Sequence, residues 1–242
     1  MKQIEPQALY EILNADRLCY CCALGELRQG NNEAFSNDDG TVFALVHQYP
    51  AWHFASFTGY DPIFLKEVLR HYRKLNVSIE QPEGQVLCVE AVRGLKPDPE
   101  PYEYFAYAGE VPVAPFHPNI RLLAKEEYGL VRPIAEHSNH INYAEGLFAW
   151  FDEERPLGYL SCGPEVDDIW DVHRIYTLPE HRNKGIGTAI AYAYLKTMRE
   201  RGLIPYYSGV TNPASAAAAR KAGFLLCCTR YAFKYKRPKF RL

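Results

Sequence analysis

The segment from Asp171 to Gly202 constrains the fold of this chain more than any other. A strand-like run, "DVHRIYTL", is followed by the loop "HRNKGIGT" at 181–188 and then by apolar residues at helical spacing from 186 to 197. Gly202 can take the left-handed conformation that ends a helix, so we predict a helix over 185–201. A strand, a glycine loop and a helix in this order indicate an α/β unit with an anion site at the helix N-terminus.

Further elements are predicted on both sides of this unit. After it we expect a strand over 203–210, a helix over 213–222 that begins with Asn212 and Pro213, and a strand over 225–235. Before it we expect strands over 119–123 and 168–178, a helix near Lys125, and a segment from 146 to 163 that turns back on itself at "DEERP". A hairpin followed by alternating helices and strands predicts an α/β fold with a mixed (α+β) sheet flanked by helices.

The first half of the chain resembles a weaker echo of the second half. We expect a helix near 6–14, strands near 18–27, 41–48 and 52–58, a helix that begins at Asp61 and Pro62, and strands over 76–80 and 85–90. Prolines and acidic residues are dense from 97 to 118, which favours a linker. We therefore predict two domains, residues 1–115 and residues 118–242.

Composition and charge argue against several functional classes. The chain has 242 residues and a net charge of −2. It therefore has no net positive charge that would attract nucleic acid or an anionic membrane. The basic C-terminal tail, residues 233–242, is interpreted as a solvated terminus, with nucleic-acid binding as the weaker alternative. The N-terminal segment lacks the apolar centre of a signal peptide, and no apolar run is long enough to span a membrane. These features favour a cytoplasmic protein.

The cysteines and the paired histidines do not form a metal-binding pattern. Seven cysteines occur mostly in apolar runs and are interpreted as buried free thiols. In a strand over 18–27, Cys21 and Cys22 would point to opposite faces, which argues against a shared metal ion. His137 and His140 have a spacing that metal ligands also use, but we interpret them as loop residues. The sequence therefore predicts no metal.

The glycine loop differs from two common phosphate-binding loops. A dinucleotide-binding fingerprint needs a third glycine where this chain has Ile190, and an acidic residue about 20 positions later that is absent here. A P-loop has lysine after its last glycine, whereas Lys184 precedes Gly185. The remaining pattern is Arg182-x-x-Gly185-x-Gly187, in which backbone N–H groups would face an anion such as a pyrophosphate. A plain tight turn is the alternative.

A second motif completes a family resemblance. The segment "VHRIYTLPEHRNKGIGT" is followed by "NPASAAAARKAGF", which begins at Asn212. In this order and at this spacing, the two motifs resemble the GNAT superfamily of acyl-CoA-dependent N-acetyltransferases over residues 119–237. The resemblance implies the GNAT fold, in two tandem GNAT-like domains, each with a splayed mixed β-sheet flanked by helices. The N-terminal domain would be a degenerate copy without a second CoA site, because Asp61 and Pro62 stand where the glycine loop would be.

The resemblance also implies how acetyl-CoA, the expected cosubstrate, would bind. Its pyrophosphate would lie on the loop, and its pantetheine arm would pair with the preceding strand, whose backbone amides would meet the thioester carbonyl. The residues expected to make these contacts are Ile175, Tyr176, Thr177, Arg182, Asn183, Lys184, Gly185, Ile186, Gly187 and Thr188. Asn212 and Ser215, at the head of the last helix, would contact the CoA arm, although Asn212 would cap that helix in any case.

Candidates for the catalytic acid and base lie on the neighbouring strands. GNAT enzymes often protonate the leaving thiolate with a tyrosine in the last helix, but Ala219 occupies that position here. Water or a nearby tyrosine on the strand over 203–210, Tyr206 or Tyr207, would replace it, and we select Tyr207. Asp171 matches the carboxylate base of some members, and strand alternation places His173 on its face, together with positions 175 and 177. Packing and solvation remain the structural alternatives for Asp171 and His173.

The sequence thus predicts a cytoplasmic GNAT-type N-acetyltransferase that transfers an acetyl group from acetyl-CoA to a primary amine. A small-molecule amine is the first choice of acceptor, and a protein or peptide amine is the second. The alternative is a non-catalytic CoA-binding sensor or scaffold, which Ala219 would allow. The N-terminal domain would enclose the acceptor site or support a homodimer.

Overall fold

The structure is a computed structural model that describes residues 1–80, 92, 94–135 and 139–237. The predicted strand over 85–90, His137 and the end of the basic tail lie outside these residues. The strands are β1 (Lys2–Ile4), β2 (Asn32–Ser36), β3 (Phe43–Gln48), β4 (His53–Phe57), β5 (Lys74–Glu80), β6 (Leu95–Pro97), β7 (Tyr102–Ala106), β8 (Ile120–Leu122), β9 (Gly146–Asp152), β10 (Arg155–Val166), β11 (Ile169–Thr177), β12 (Ile204–Val210) and β13 (Leu225–Lys236). The α-helices are α1 (Tyr10–Ala15), α2 (Cys21–Gln29), α3 (Pro62–His71), α4 (Asn139–Asn142), α5 (Ile186–Glu200) and α6 (Pro213–Ala222), and 3-10 helices span Pro6–Leu9, Lys125–Ile134 and Pro179–His181.

The chain divides into two compact units. The first comprises Met1–Tyr102 and Cys228–Leu242, and the second comprises Glu103–Cys227. This division differs from the predicted boundary between 115 and 118. The difference arises because β13, at the end of the chain, pairs with β5 in the first unit, whereas β7 pairs with β12 in the second.

The first unit contains a mixed sheet in the order β1–β2–β3–β4–β5–β13, with β6 beside β13. Its one parallel pair among these described strands, β4 with β5, is connected through α3. As predicted, α3 begins after Asp61, whose carboxylate accepts hydrogen bonds from the N–H groups of Ile63 at 2.9 Å and Phe64 at 3.1 Å. An acidic side chain therefore caps the helix that follows the first parallel strand of this unit.

One predicted strand of the first unit is a helix. Most of the segment 18–27, predicted as a strand, lies in α2, where Cys21, Leu24 and Leu27 are buried at helical spacing. The interpretation that Cys21 and Cys22 point to opposite faces of a strand was therefore wrong. A short apolar run fits a buried helix as well as a strand, because both can place it against a core.

Six of the seven cysteines lie among the residues that the structure describes. Cys19, Cys21, Cys162 and Cys228 are buried, Cys22 is partly buried, and Cys227 is exposed. Within the described ranges, no group of three or more His, Cys, Asp or Glu side chains is placed to hold a metal ion. No helix in those ranges has the length and apolar character needed to cross a membrane.

The second unit repeats the strand order of the first. Its sheet runs β7–β12–β11–β10–β9–β8, and β11 and β12 form a parallel pair connected through α5. Strands β8 to β12 thus follow the same order and directions as β1 to β5. The predicted hairpin is β9 with β10, the predicted helix over 185–201 is α5, and the predicted helix near Lys125 is a 3-10 helix.

The core of the second unit lies between the sheet and the two long helices. Ile190, Tyr194 and Met198 on α5 are fully buried, and they belong to one apolar cluster with Ala219 on α6 and Phe148 on β9. This packing fixes the N-terminus of α5 beside the end of β11, where the glycine loop joins them.

Candidate active site

A cleft opens where β11 and β12 separate. Their parallel register pairs Ile169 with Ile204, Trp170 with Pro205, and Asp171 with Tyr206, and it ends there. Beyond this point the two strands part around a cleft of about 950 Å³, lined by both strands, the glycine loop and the head of α6. The predicted splay of the sheet is therefore confirmed. It leaves one edge of β11 without a strand partner, so its backbone N–H and C=O groups face the cleft.

The glycine loop presents backbone N–H groups at the end of this cleft. Asn183 has a φ of 61° and Gly185 a φ of 82°, so both are left-handed. Gly185 is the N-cap of α5, and no side chain caps the helix. The first intrahelical bond runs from the Ala189 N–H to the Gly185 carbonyl at 2.9 Å. The N–H groups of 186–188 precede that bond and lack an intrahelical acceptor, which makes this end of the helix suited to an anion.

Cationic side chains surround the loop. Arg182 Nε donates a hydrogen bond to the Thr177 carbonyl at 3.1 Å, and its guanidinium carbon lies 5.8 Å from the centroid of the Tyr176 ring. Lys221 on α6 also lines the cleft. Among the described residues, no Asp or Glu contributes to the lining. The field in the cleft therefore favours a negatively charged ligand.

Most of the predicted site residues meet in this cleft. Its lining includes His173, Ile175, Tyr176, Thr177, Arg182, Asn183, Gly185, Ile186, Gly187, Thr188, Tyr207, Asn212 and Ser215. Lys184 is exposed and lies outside the lining, and Asp171 is buried behind it. Asn212 caps α6, since its Oδ1 accepts a hydrogen bond from the Ala214 N–H at 2.8 Å.

A β-bulge interrupts β11 at the centre of the cleft. In the ladder with β10, Val172 pairs with Cys162 and Arg174 pairs with Ser161, so His173 is an extra residue on β11. An extra residue reverses the alternation of side chains for the rest of the strand.

The bulge changes which predicted residues share a face. Val172 and Ile175 contact the same apolar core, although strict alternation would separate them. Gly163, opposite Asp171 in the ladder, lies against the His173 ring, because a Cβ at Gly163 would be 2.7 Å from His173 Cε1. The prediction that positions 171, 173, 175 and 177 share one face was therefore wrong after His173: Asp171 and His173 share a face, and Ile175 lies on the other.

Asp171 is held by the neighbouring strand. Its carboxylate accepts hydrogen bonds from the Ser208 backbone N–H at 2.9 Å and from the Ser208 hydroxyl at 2.6 Å. Burial raises the pKa of Asp171 to about 7, while the hydrogen bonds from Ser208 act in the opposite direction. A carboxyl group that exchanges its proton near neutral pH fits the role of a general base.

His173 and Tyr207 line the cleft with complementary proton chemistry. Burial lowers the pKa of His173, with a smaller contribution from the charge of His140, so the imidazole is neutral and can accept a proton at pH 7. Burial and, less strongly, the charge of Asp171 raise the pKa of Tyr207 to about 12, although a hydrogen bond with Ser215 and the charge of Arg174 act in the opposite direction. The Tyr207 hydroxyl therefore keeps its proton at neutral pH and can donate it.

The structure also shows where Ala219, at the usual tyrosine position, and Tyr206, the other candidate tyrosine, lie. Ala219 is fully buried in the core, so the usual tyrosine position of the last helix presents no side chain to the cleft. Tyr206 is fully buried as well and lies outside the cleft lining, with its ring 6.3 Å from that of Tyr104.

Three residues of the site were missed from the sequence: Ser208, Arg174 and Lys221. Ser208 lies beside Asp171 only because of the register between β11 and β12, which local sequence does not encode. Arg174 lines the cleft because the bulge at His173 reorients the strand. The visible signal for it was a basic residue in the strand that directly precedes the glycine loop.

Comparisons with known proteins agree with this architecture. Residues 117–224 match the family model described as "Acetyltransferase (GNAT) family". An uncharacterized N-acetyltransferase of Methanocaldococcus jannaschii is 25% identical over 88 residues, a match that covers 33% of this chain and 39% of that protein. The match thus spans less than half the length of this relative.

Solved structures show the same fold over nearly the whole chain. A GCN5-related N-acetyltransferase from Kribbella flavida has a TM-score of 0.64 at 18% identity, and the match covers 94% of this chain and 97% of the other. A second, from Sphaerobacter thermophilus, has a TM-score of 0.57 at 14% identity, with coverages of 100% and 96%. The architecture is a GNAT fold in two tandem GNAT-like domains. The domain that carries the cleft resembles the GNAT acetyltransferase family over residues 117–224, just under half of the chain.

Proposed function

We propose that this protein is a cytoplasmic N-acetyltransferase that transfers the acetyl group of acetyl-CoA to a primary amine. A small-molecule amine is the first choice of acceptor, and a peptide or protein amine is the second. The observation that carries the proposal is the cleft between β11 and β12. It joins an uncapped helix N-terminus at one end to Tyr207, His173 and the Asp171–Ser208 pair at the other.

The residues of the cleft fit acetyl-CoA in charge and in hydrogen bonding. The pyrophosphate would accept hydrogen bonds from the N–H groups of 186–188, with Arg182 and Lys221 adding positive charge. The pantetheine arm would pair with the free edge of β11 as a strand does. The thioester carbonyl would then accept a hydrogen bond from a backbone N–H of β11, which stabilises an oxyanion.

The titratable groups at the cleft support direct transfer of the acetyl group from the thioester to the amine. His173 takes a proton from the acceptor ammonium directly, or Asp171 takes it through the Ser208 hydroxyl, and the neutral amine attacks the thioester carbon. As the tetrahedral intermediate collapses, the nitrogen loses its second proton to water, the C–S bond breaks, and the thiolate takes the proton of the Tyr207 hydroxyl. The tyrosinate recovers a proton from water. The products are an N-acetyl amide, CoA with a free thiol, and one proton released.

Calorimetry with acetyl-CoA and a thiol-release assay with a panel of primary amines test this proposal. We expect acetyl-CoA to bind, and turnover with at least one amine to fall about 100-fold in Asp171→Asn or His173→Gln, whichever residue is the main base. Tyr207→Phe removes only the hydroxyl, so we expect a loss of about 10-fold to 100-fold in kcat with unchanged acetyl-CoA affinity. The absence of acetyl-CoA binding would contradict the proposal.

A non-catalytic CoA-binding sensor or scaffold is the second candidate function. The buried Ala219 at the usual proton-donor position favours it. Tight acetyl-CoA binding, together with no thiol release for any amine of the panel, would support this candidate.

A further inference from the structure

The Tyr194 hydroxyl bridges β11 and β12 at the point where the two strands part. Tyr194 is a fully buried residue of α5. Its hydroxyl donates a hydrogen bond to the Trp170 carbonyl on β11 and accepts one from the Tyr206 N–H on β12 at 3.2 Å. A helix side chain thus joins both strands at the last rung of their register, where Asp171 pairs with Tyr206.

The preceding rung shows how a regular ladder looks in this sheet. There the Ile204 N–H donates directly to the Asp168 carbonyl at 2.7 Å. The same pattern two residues later brings the Tyr206 N–H to the Trp170 carbonyl, and the Tyr194 hydroxyl bonds to both of these groups. The hydroxyl therefore adds a third polar group to a rung that a regular ladder forms from one donor and one acceptor.

The next N–H on this edge of β12 also bonds to a side chain. In a continued ladder the Ser208 N–H would donate to the Val172 carbonyl. It donates instead to the Asp171 carboxylate at 2.9 Å, and the Ser208 hydroxyl donates to the other carboxylate oxygen at 2.6 Å. The Asp171–Ser208 pair thus takes the place of the rung that would follow the one at Tyr194.

The core of the second unit fixes the ring that carries this hydroxyl. The Tyr194 ring stacks on Phe224, with centroids 6.3 Å apart and planes 7° apart, and it meets Phe148 edge-on at 5.9 Å. Close-packed aromatic neighbours leave the ring little freedom to move. The hydroxyl therefore holds its two backbone partners at positions that α5 sets, rather than the two strands alone.

We infer that Tyr194 is a positioning residue of the site: its hydroxyl fixes the last rung between β11 and β12 and thereby keeps Ser208 on the Asp171 carboxylate. Without the hydroxyl, the two backbone groups can close into a regular rung, and the ladder can extend by one more. That extension draws the Ser208 N–H away from Asp171. Tyr194 does not line the cleft, so it acts through Asp171. The inference rests on the proposed function, because it concerns a base assigned to acetyl transfer.

Carbon NMR of the Asp171 carboxyl group, in the protein without ligand, tests this inference. Tyr194→Phe removes the hydroxyl and keeps the ring. The hydrogen bonds from Ser208 lower the pKa of Asp171, which burial raises to about 7, so their loss should raise it further by about 1 unit. If the protein acetylates an amine, the acid limb of the pH–rate profile should move by the same amount.

Tyr192→Phe is the matched control on the same helix. The Tyr192 hydroxyl donates to the Ala114 carbonyl at 2.8 Å, and Tyr192 does not line the cleft. The variant removes one tyrosine hydroxyl bonded to a backbone carbonyl, as Tyr194→Phe does, but away from β11 and β12. We expect it to leave the pKa of Asp171 and the pH–rate profile unchanged.

The charged and titratable groups near Asp171 are the same in both variants. Besides burial, the charge of Glu165 raises the pKa of Asp171, and the charge of Asp171 adds to the effect of burial on Cys162 and Tyr207. Neither substitution alters any of these groups. A shift in Tyr194→Phe alone therefore reports the hydrogen bonds to the carboxylate.

Two further variants test whether Tyr194 acts through Ser208. Ser208→Ala alone should raise the pKa of Asp171 by about 1 unit, and the double variant Tyr194→Phe/Ser208→Ala should show less than the sum of the single shifts, because both changes remove the same hydrogen bond. Replacement of Tyr194 by 4-aminophenylalanine restores a hydrogen-bonding group at the rung. It should bring the pKa back toward the wild-type value.

The outcomes separate this inference from the proposed function. An unchanged pKa in Tyr194→Phe, an equal shift in Tyr192→Phe, or additive shifts in the double variant would overturn the inference even if acetyl transfer is observed. An unfolded Tyr194→Phe beside a folded Tyr192→Phe would also overturn it, because the hydroxyl would then serve the core rather than the site. The expected shifts without thiol release from any amine would sustain the positioning of Asp171 and count against the transferase alone.

Discussion

Asp171 and Ser208 are joined by two hydrogen bonds at the point where β11 and β12 part. The Ser208 backbone N–H donates to Oδ1 at 2.9 Å and the Ser208 hydroxyl to Oδ2 at 2.6 Å. Both bonds favour the ionised carboxylate, whereas burial favours the protonated acid and raises the pKa to about 7. The carboxyl group is thus fixed in orientation and close to half-ionised at neutral pH.

The rate of acetyl transfer should follow this balance. If Asp171 is the base, kcat/KM rises with pH through an apparent pKa of about 7. Ser208→Ala removes the hydroxyl bond that lowers the pKa, so we expect the acid limb of the pH–rate profile to move upward by about 1 unit. The profile is measured by thiol release from pH 5 to 9. An unchanged profile in Ser208→Ala would assign the limb to another group.

The free energy of unfolding should also depend on pH through the ionisation of Asp171. The pKa of Asp171 is raised from 3.8 to about 7 in the folded state, so its favourable contribution is complete below about pH 4 and is lost as the pH rises to about 7. Asp171→Asn removes this dependence. We expect the free energy of unfolding of the wild type, relative to this variant, to fall by an amount on the order of 4 kcal/mol across that window. Urea unfolding at several pH values measures it, and a flat difference would contradict the assignment.

Substitutions at two glycines, one at each end of α5, distinguish the cost of backbone strain from an effect on ligand binding. Gly185 and Gly202 have φ values of 82° and 74°, and a Cβ at either would meet no atom within 4 Å. Alanine at either position should therefore cost about 1 kcal/mol of stability through the left-handed backbone alone. Only Gly185→Ala should weaken acetyl-CoA binding, by about 10-fold, because only its loop presents N–H groups to the cleft. Equal affinities in the two variants would remove the loop from the binding site.

A second pair of glycines tests the position of the His173 ring. A Cβ at Gly163 would lie 2.7 Å from His173 Cε1, and a Cβ at Gly146 would lie 2.8 Å from Cys162 Sγ. Both alanine variants thus displace the end of one neighbouring side chain. We expect Gly163→Ala to lower kcat/KM by about 10-fold or more, because the imidazole shifts within the site, with acetyl-CoA affinity unchanged. Gly146→Ala should keep the wild-type rate; the same loss in both variants would indicate a general packing defect.

Fragments of the chain should fold according to strand pairing. A fragment of residues 103–227 contains β8 to β12 and nearly all of β7, the whole sheet of the second unit. A fragment of residues 118–242 lacks β7 and carries β13 without β5. We expect the first to show a cooperative thermal transition and the second to be less stable or to aggregate, because β12 loses its partner β7 and β13 lacks β5. Circular dichroism during heating compares them, and a more stable 118–242 fragment would contradict this division.

The helices that carry capping residues at their ends could be predicted from the sequence. The helices α3 and α6 carry Asp61 and Asn212 as caps, each followed by proline, and Gly202 ends the segment of α5. These signals depend on backbone hydrogen bonds within a few residues, so tertiary structure does not override them. The first turns of α3 and α6 and the C-terminal end of α5 could therefore be predicted from the sequence alone.

The features that depend on register could not be predicted in this way. The bulge at His173 exists only in the ladder with β10, and it changes the faces of Arg174 and Ile175. The contact between Ser208 and Asp171 depends on a parallel register set by the whole α5 crossover. The place of β13 in the first unit depends on a partner strand more than a hundred residues away in sequence, as the pairing of Phe233 with Val77 shows.

The parted strands give the sheet of the second unit an edge in its interior rather than only at its margins. An open edge is a template for any extended segment with free backbone groups, including one from another copy of the chain. A bound acyl donor would cover that edge, so it would protect the protein from self-association as well as supply the reaction. At a donor concentration 100 times its Kd, linkage adds about 2.7 kcal/mol to the free energy of unfolding. The concentration of donor in the cell would thereby influence both the abundance of the folded protein and the rate of acetyl transfer.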